Sequence, residues 1–121
     1  MENYKLIHPS HLNHYGFLFG GNMLKWVDEY AYIAACADFP NERFVTIAME
    51  NLVFKKSVHA GDIIMFKVVL ARRGTTSAHY DVSVHRARPS SEGSLEGERI
   101  FATRVSYVCV DEFGAKKPLS D

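Results

Sequence analysis

The sequence predicts an α+β domain in which a curved antiparallel sheet wraps around one long central helix, and three observations predict it. Residues 22–37 carry apolar side chains around most of a helical circumference, with no Gly or Pro inside the segment. Residues 43–110 read instead as Val-, Ile- and Phe-rich strands with turn signals at Gly61, Gly74 and the 89–97 stretch. Long strands joined by short turns pair antiparallel, and a single helix must then cover one face of the sheet they form.

The elements follow in order. Residues 1–19 are polar and turn-rich, with Pro9 and Gly16, and hold at most one short strand, around Tyr4–His8. Gly20-Gly21 precedes the helix, expected from Asn22 to about Ala37. Only Asn22, Lys25, Asp28 and Glu29 are polar within it before Asp38, so it belongs inside the fold. Asp38-Phe39-Pro40-Asn41 ends it, because Pro cannot continue a helix and steers its predecessor away from one. Strands are expected over 43–54, 63–72, 76–88 and 99–110. The third of these alternates cleanly, with Tyr80, Val82 and Val84 against Asp81, Ser83 and His85.

A chain of 121 residues fits one domain, expected over 1–121. Fourteen basic residues balance fourteen acidic ones, which argues against nucleic acid as the main partner because neutralising phosphates needs surplus cations. A balanced total says nothing against a local basic patch for one phosphorylated ligand. No basic segment leads into an apolar run at the N-terminus, and no apolar stretch approaches the ~20 residues of a membrane span. Cys36 and Cys109 lie in apolar runs without metal-like spacing, so both are expected as buried free thiols, and the expected location is cytoplasmic.

The chemistry concentrates between positions 8 and 28. Paired glycines at a helix start leave backbone N–H groups without intrahelical acceptors, backed by the positive end of the helix dipole. Gly20-Gly21 therefore serves either as a close-packed turn or as a donor site for a developing oxyanion. Asp28 follows Gly21 by seven residues on a helix suited to a core. Desolvation there would raise its pKa and suit it to act as base or nucleophile, whereas pairing with Lys25 would make it merely structural. Asn13 either holds a turn or joins this chemistry.

The ordered pattern His11-Leu12-Asn13-His14-Tyr15-Gly16-Phe17-Leu18-Phe19-Gly20-Gly21, with Leu24, Trp26, Asp28 and Ala34-Ala35, resembles the acyl-CoA thioesterase branch of the hotdog-fold superfamily. The likeness runs on through Val45-Thr46-Ile47-Ala48, Phe54-Lys55-Lys56, Gly61-Asp62, Gly74-Thr75-Thr76-Ser77 and Val108-Cys109-Val110-Asp111. Ser57 stands where such relatives commonly have proline.

That resemblance implies a hotdog fold and hydrolysis of acyl-CoA thioesters in fatty acid metabolism, without metal or organic cofactor. Asp28 would be general base or nucleophile, and Asn13, from the opposite subunit, would position water or the thioester. Gly21 N–H would polarise the carbonyl while Gly20 shapes the turn. Thr76 and Ser77 would line the cleft, Ser77 on the attacking water. Met23 and Val27, with Tyr30, would flank the acyl chain. Lys55-Lys56, Arg72-Arg73 and Arg86/Arg88 are candidates for the CoA phosphates, with Lys56, Arg73 and Arg88 foremost. The resemblance also implies a homodimer joined sheet edge to sheet edge, and further assembly as a trimer of dimers.

Two rival readings share the fold: an enoyl-CoA hydratase or dehydratase, which uses a catalytic His, and a non-catalytic acyl-CoA sensor. His8, His11 and His14 recur every third residue, but Pro9, Asn13 and Gly16 make a helical metal site there unfavourable.

Overall fold

The computed structural model describes residues 1–87 and 97–120. One α-helix and five strands account for most of them: β1 (Glu2–Leu6), α1 (Gly20–Asp38), β2 (Arg43–Phe54), β3 (Ile63–Arg73), β4 (Ser77–Ala87) and β5 (Arg99–Val110). A short 3₁₀ turn, Pro9–His11, lies between β1 and α1. The sheet order is β1-β3-β4-β5-β2, with every neighbouring pair antiparallel. This is the α+β arrangement the sequence predicts.

α1 buries Met23, Trp26, Val27, Ala31, Ala34 and Ala35, a stripe at three- and four-residue spacing. Against it stand the helix-facing residues of the sheet, among them Phe66, Ala78, Tyr80, Val82, Phe101 and Tyr107. Each large apolar side chain buried in this layer contributes about 1.5–3 kcal/mol. The other side of the helix is also apolar but lies bare in the single chain, where Tyr32 and Ile33 are exposed.

Three local readings need correction. The helix starts at Gly20 rather than Asn22, since extended Phe19 caps it and glycines cost little in a first turn whose N–H groups lack acceptors anyway. The first strand is Glu2–Leu6, displaced from Tyr4–His8 because Pro9 opens the 3₁₀ turn and His8 caps it. Cys36 is exposed, since it sits on the bare side of α1, whereas Cys109 is buried as expected.

The C-terminal tail is strapped to the end of the sheet. Lys117 N–H donates to Cys109 O at 2.9 Å, and Leu119 N–H donates to Thr75 O at 2.9 Å. Glu42 clamps the strap, accepting from Cys109 Sγ at 2.8 Å, Ser120 Oγ at 2.7 Å and Lys117 Nζ at 3.1 Å. Those donors, the Cys109 thiol foremost, hold the Glu42 carboxyl down to about 2. Arg73 also grips the strap, donating to Ser120 O at 2.9 Å, with its guanidinium 5.1 Å from the Phe39 ring centroid.

Candidate active site

Asp28 lies in the second half of the first three turns of α1, facing the junction of β5 and β2. It is half-buried in the single chain, so the desolvation expected of it is only partial there. Its partner is not Lys25. Thr46 Oγ1, on β2, donates to Asp28 Oδ1 at 2.9 Å. The Tyr107 hydroxyl, on β5, lies 2.9 Å from the same oxygen and 2.8 Å from the Asp28 backbone carbonyl, a bifurcated donor. Thr46 and Tyr107 are directly opposed across the β2–β5 ladder, so their side chains emerge on one face of the sheet. Both donors meet Oδ1 and leave Oδ2 as the oxygen without a partner among the described residues.

The second part of the site is the loop from Leu12 to Phe19. Asn13 Oδ1 accepts the backbone N–H of Tyr15 at 2.9 Å and of Phe17 at 3.2 Å, an Asx-type turn closed by Asn13 N–H to Phe17 O at 2.7 Å. The turn engages the amide oxygen only and leaves Nδ2 as a donor at the loop tip. Gly16, at φ +85°, supplies the left-handed residue that closes it.

His11 fastens this loop to the helix start. Its carbonyl accepts Phe19 N–H at 3.0 Å and Asn22 Nδ2 at 3.0 Å. Gly20 and Gly21 then present their N–H groups with no acceptor among the described residues. A Cβ on Gly21 would come within 2.6 Å of the Phe19 ring, so a side chain there must displace that ring.

The His11 ring packs edge-on against Trp26 with centroids 4.9 Å apart, and its Nδ1 accepts the His8 backbone N–H at 3.0 Å. Burial, then the neighbouring His8 and Lys5 charges, lower its pKa. The folded state therefore prefers the neutral ring. Its contribution to stability is complete above the ordinary histidine value of about 6.5 and is lost as pH falls through His11's own lower value. In a proton NMR titration, the His11 resonance should move at lower pH than a free histidine; a midpoint at or above 6.5 would contradict the effect of that burial and those neighbouring charges.

Between the helix start and the end of β2 lies a pocket of 160 Å³, lined by Phe17, Leu18, Met23, Phe54, Val58 and Ile100. Lys56 and Ser57 stand at its polar side. A Cβ on Gly20 would lie 3.7 Å from the Phe54 ring, so the pocket adjoins the glycine donors. Larger concavities exist elsewhere, including one of 590 Å³ on the outer face of the sheet, but it is lined by Lys67, Asp81 and Arg104 and does not reach Asp28 or the glycines.

The structure thus brings Met23 and Lys56 to one pocket beside Gly20. Val27 does not line that pocket and is fully buried in the core. Thr76 precedes β4, its carbonyl accepting Cys109 N–H at 2.7 Å. Ser77 follows, one residue from Ala78, which faces α1; alternation therefore turns Ser77 to the outer face, where its Oγ meets His79 Nε2 at 3.1 Å. Within one chain it lies on the opposite side of the sheet from Asp28.

The cations also sort themselves. Arg86 is buried and paired to Asp62 and Glu98, while donating to Ser57 O at 2.7 Å, so it anchors the β2–β3 loop rather than meeting phosphates. Arg73 is held by the tail strap. Lys55 and Lys56 are exposed, and Arg88 lies outside the described residues.

Thr46 and Tyr107 received no role from the sequence. Thr46 belonged to a matched segment, but its contact with Asp28 depends on strand register, as does that of Tyr107. Among the described residues, no group of three or more His, Cys, Asp or Glu is placed to hold a metal ion, and no helix is long and apolar enough to cross a membrane.

Comparison with known proteins places the chain among thioesterases. The family profile of the thioesterase superfamily matches residues 15–92. The chain is 32% identical over 113 residues to the acyl-CoA thioester hydrolase YciA of Salmonella typhimurium, covering 92% of this chain and 83% of that protein. It is 34% identical over 115 residues to an uncharacterized acyl-CoA thioester hydrolase of Buchnera aphidicola, covering 92% and 82%. Among solved structures, a hexameric hotdog fold thioesterase of Campylobacter jejuni superposes with a TM-score of 0.83 at 36% identity, covering 98% of this chain and 88% of that one. A hexameric broad specificity acyl-coenzyme A thioesterase superposes with a TM-score of 0.83 at 26% identity, covering 98% and 80%.

Proposed function

The chain belongs to the thioesterase superfamily, and on that premise we propose that it hydrolyses acyl-CoA thioesters to a free carboxylic acid and coenzyme A. The observation that carries this reading is the Asp28 carboxylate, anchored through Oδ1 by Thr46 and Tyr107 on a helix that begins with unpaired Gly20 and Gly21 N–H groups. Asp28 Oδ2 takes a proton from water as the water oxygen bonds to the thioester carbon. The carbonyl oxygen becomes an oxyanion at Gly21 N–H. The C–S bond then breaks, and the departing thiolate takes the proton that Asp28 held. If Asp28 Oδ2 instead bonds to the thioester carbon, the C–S bond breaks as the thiolate departs, and water then opens the aspartyl anhydride to the free acid and the Asp28 carboxylate, releasing the proton that the thiolate takes up. Neither course calls for a metal or an organic cofactor.

Helix geometry supports an active site shared between two copies. Seven residues separate Gly21 from Asp28, about 10 Å of helix rise, so one chain does not set both against one carbonyl. An antiparallel helix from a two-fold partner brings the glycine end of one copy to Asp28 of the other. Asn13 travels with the glycines, because His11 ties its loop to them. β2 is the open edge nearest Asp28, and it exposes Val45, Ile47, Val53 and Phe54, an apolar border suited to edge pairing. The hexameric assemblies of the similar thioesterases support dimers of this kind joined further in threes.

The pocket beside Gly20 suits the acyl group or the adjoining pantetheine, and Lys56 at its rim suits a CoA phosphate. The free thiols of Cys36 and Cys109 accord with a cytoplasmic location. The test is release of free thiol from a panel of acyl-CoAs of increasing chain length. Turnover is expected on at least part of the panel; saturable binding without turnover on any member would replace this reading with the sensor.

A further inference from the structure

We propose that Tyr107 is a positioning residue that fixes the orientation of the Asp28 carboxylate. The inference rests on the reading of Asp28 as the reactive group. Tyr107 is fully buried, and its ring is walled by Tyr32, Phe44 and Tyr80, each with centroids 6.2 Å away. A ring held on those sides has one place to put its hydroxyl, and that place is Asp28. The hydroxyl lies 2.8 Å from the backbone carbonyl oxygen and 2.9 Å from side-chain Oδ1 of this one residue. Contact with both atoms restrains the torsions between them, so the carboxylate does not turn freely about Cα–Cβ or Cβ–Cγ. Thr46 Oγ1 reaches the same oxygen at 2.9 Å from the edge strand, and Oδ2 is left to point away from both donors. Burial first, and then the Asp28 contact, push the phenol far above its usual range, so it remains a proton donor across any working pH.

Tyr80 provides a matched control within the same fold. It is equally buried, and its hydroxyl donates to a helix aspartate, Asp38 Oδ2, at 2.9 Å. Asp38 is the last residue of α1, ten positions from Asp28, and has no place in the proposed chemistry. Each tyrosine thus satisfies a buried hydroxyl on an aspartate, and only one of those aspartates is the reactive group.

The experiment compares Tyr107→Phe, Tyr80→Phe and Asp28→Asn with the wild-type oligomer, measuring Tm, kcat and KM on an acyl-CoA that the wild type turns over. Loss of one hydrogen bond to a charged group predicts a fall in kcat of about 10- to 100-fold for Tyr107→Phe, with KM within about twofold. A loss in kcat at constant KM is the readout that a merely structural role for the hydroxyl would not produce. Tyr80→Phe should keep the wild-type kcat while losing a comparable amount of Tm. Should Tyr107→Phe behave like Tyr80→Phe while Asp28→Asn is inactive, the positioning role is overturned. Wild-type turnover in Asp28→Asn would instead overturn the role of Asp28 on which the inference rests.

Discussion

Asp28→Asn should reduce thioester hydrolysis by about 10²- to 10⁴-fold, the range that a positioned general base contributes. The substitution preserves shape and keeps an oxygen to receive the Thr46 and Tyr107 hydroxyls, so the contacts that seat residue 28 survive. What it removes is the second oxygen and its capacity to take a proton. KM should change little, because the pocket beside Gly20 and the exposed Lys56 are untouched. Thiol release measured alongside thermal unfolding separates the two contributions. A variant with unchanged Tm and undiminished turnover would remove Asp28 from the chemistry while leaving the reaction class intact.

The second large effect is recovery of activity from two inactive proteins. Asn13→Asp keeps the oxygen that accepts Tyr15 and Phe17 N–H, so the loop holds, and it removes only the amide donor. Asn13→Asp and Asp28→Asn should each be nearly inactive alone. If one site takes Asn13 from one copy and Asp28 from the other, a mixed dimer contains one intact site and one doubly altered site. Random pairing of equal amounts makes half the dimers mixed, so activity should return to about one quarter of wild type. Co-expression with two affinity tags, followed by thiol release, measures this directly. No recovery in isolated mixed dimers would place both residues within one chain's site.

Much of the fold was legible because period and punctuation are local. Tyr80, Val82 and Val84 alternate on β4 as their spacing requires, and β5 runs from Arg99 to Val110 as read. The site was legible in part for the same reason: Asn13, Gly20, Gly21 and Asp28 lie within sixteen consecutive residues. Their roles came from a matching pattern, and the geometry adds the physical setting. The cations were harder, since charge in a sequence carries no partner. Arg86 turned out to be tied to Asp62 and Glu98, and Arg73 to the tail, while Lys56 stays exposed at a pocket rim. Ser77 illustrates a different limit. A hydroxyl next to a turn reads the same for either face of a strand, and the pairing of Ala78 with Tyr107 settles which face it takes.

The sequence by itself determined one helix, the strands that flank it and the order of the residues around Asp28, because helix and strand periods are written in neighbouring positions. Only the tertiary structure decided what holds Asp28. Thr46 is eighteen residues away and Tyr107 seventy-nine, and they meet at one carboxylate oxygen because β2 and β5 pair in a register that places them side by side. That register is set by burial summed over whole strands, since a shift of one residue would turn Tyr107 out of the core and away from the helix.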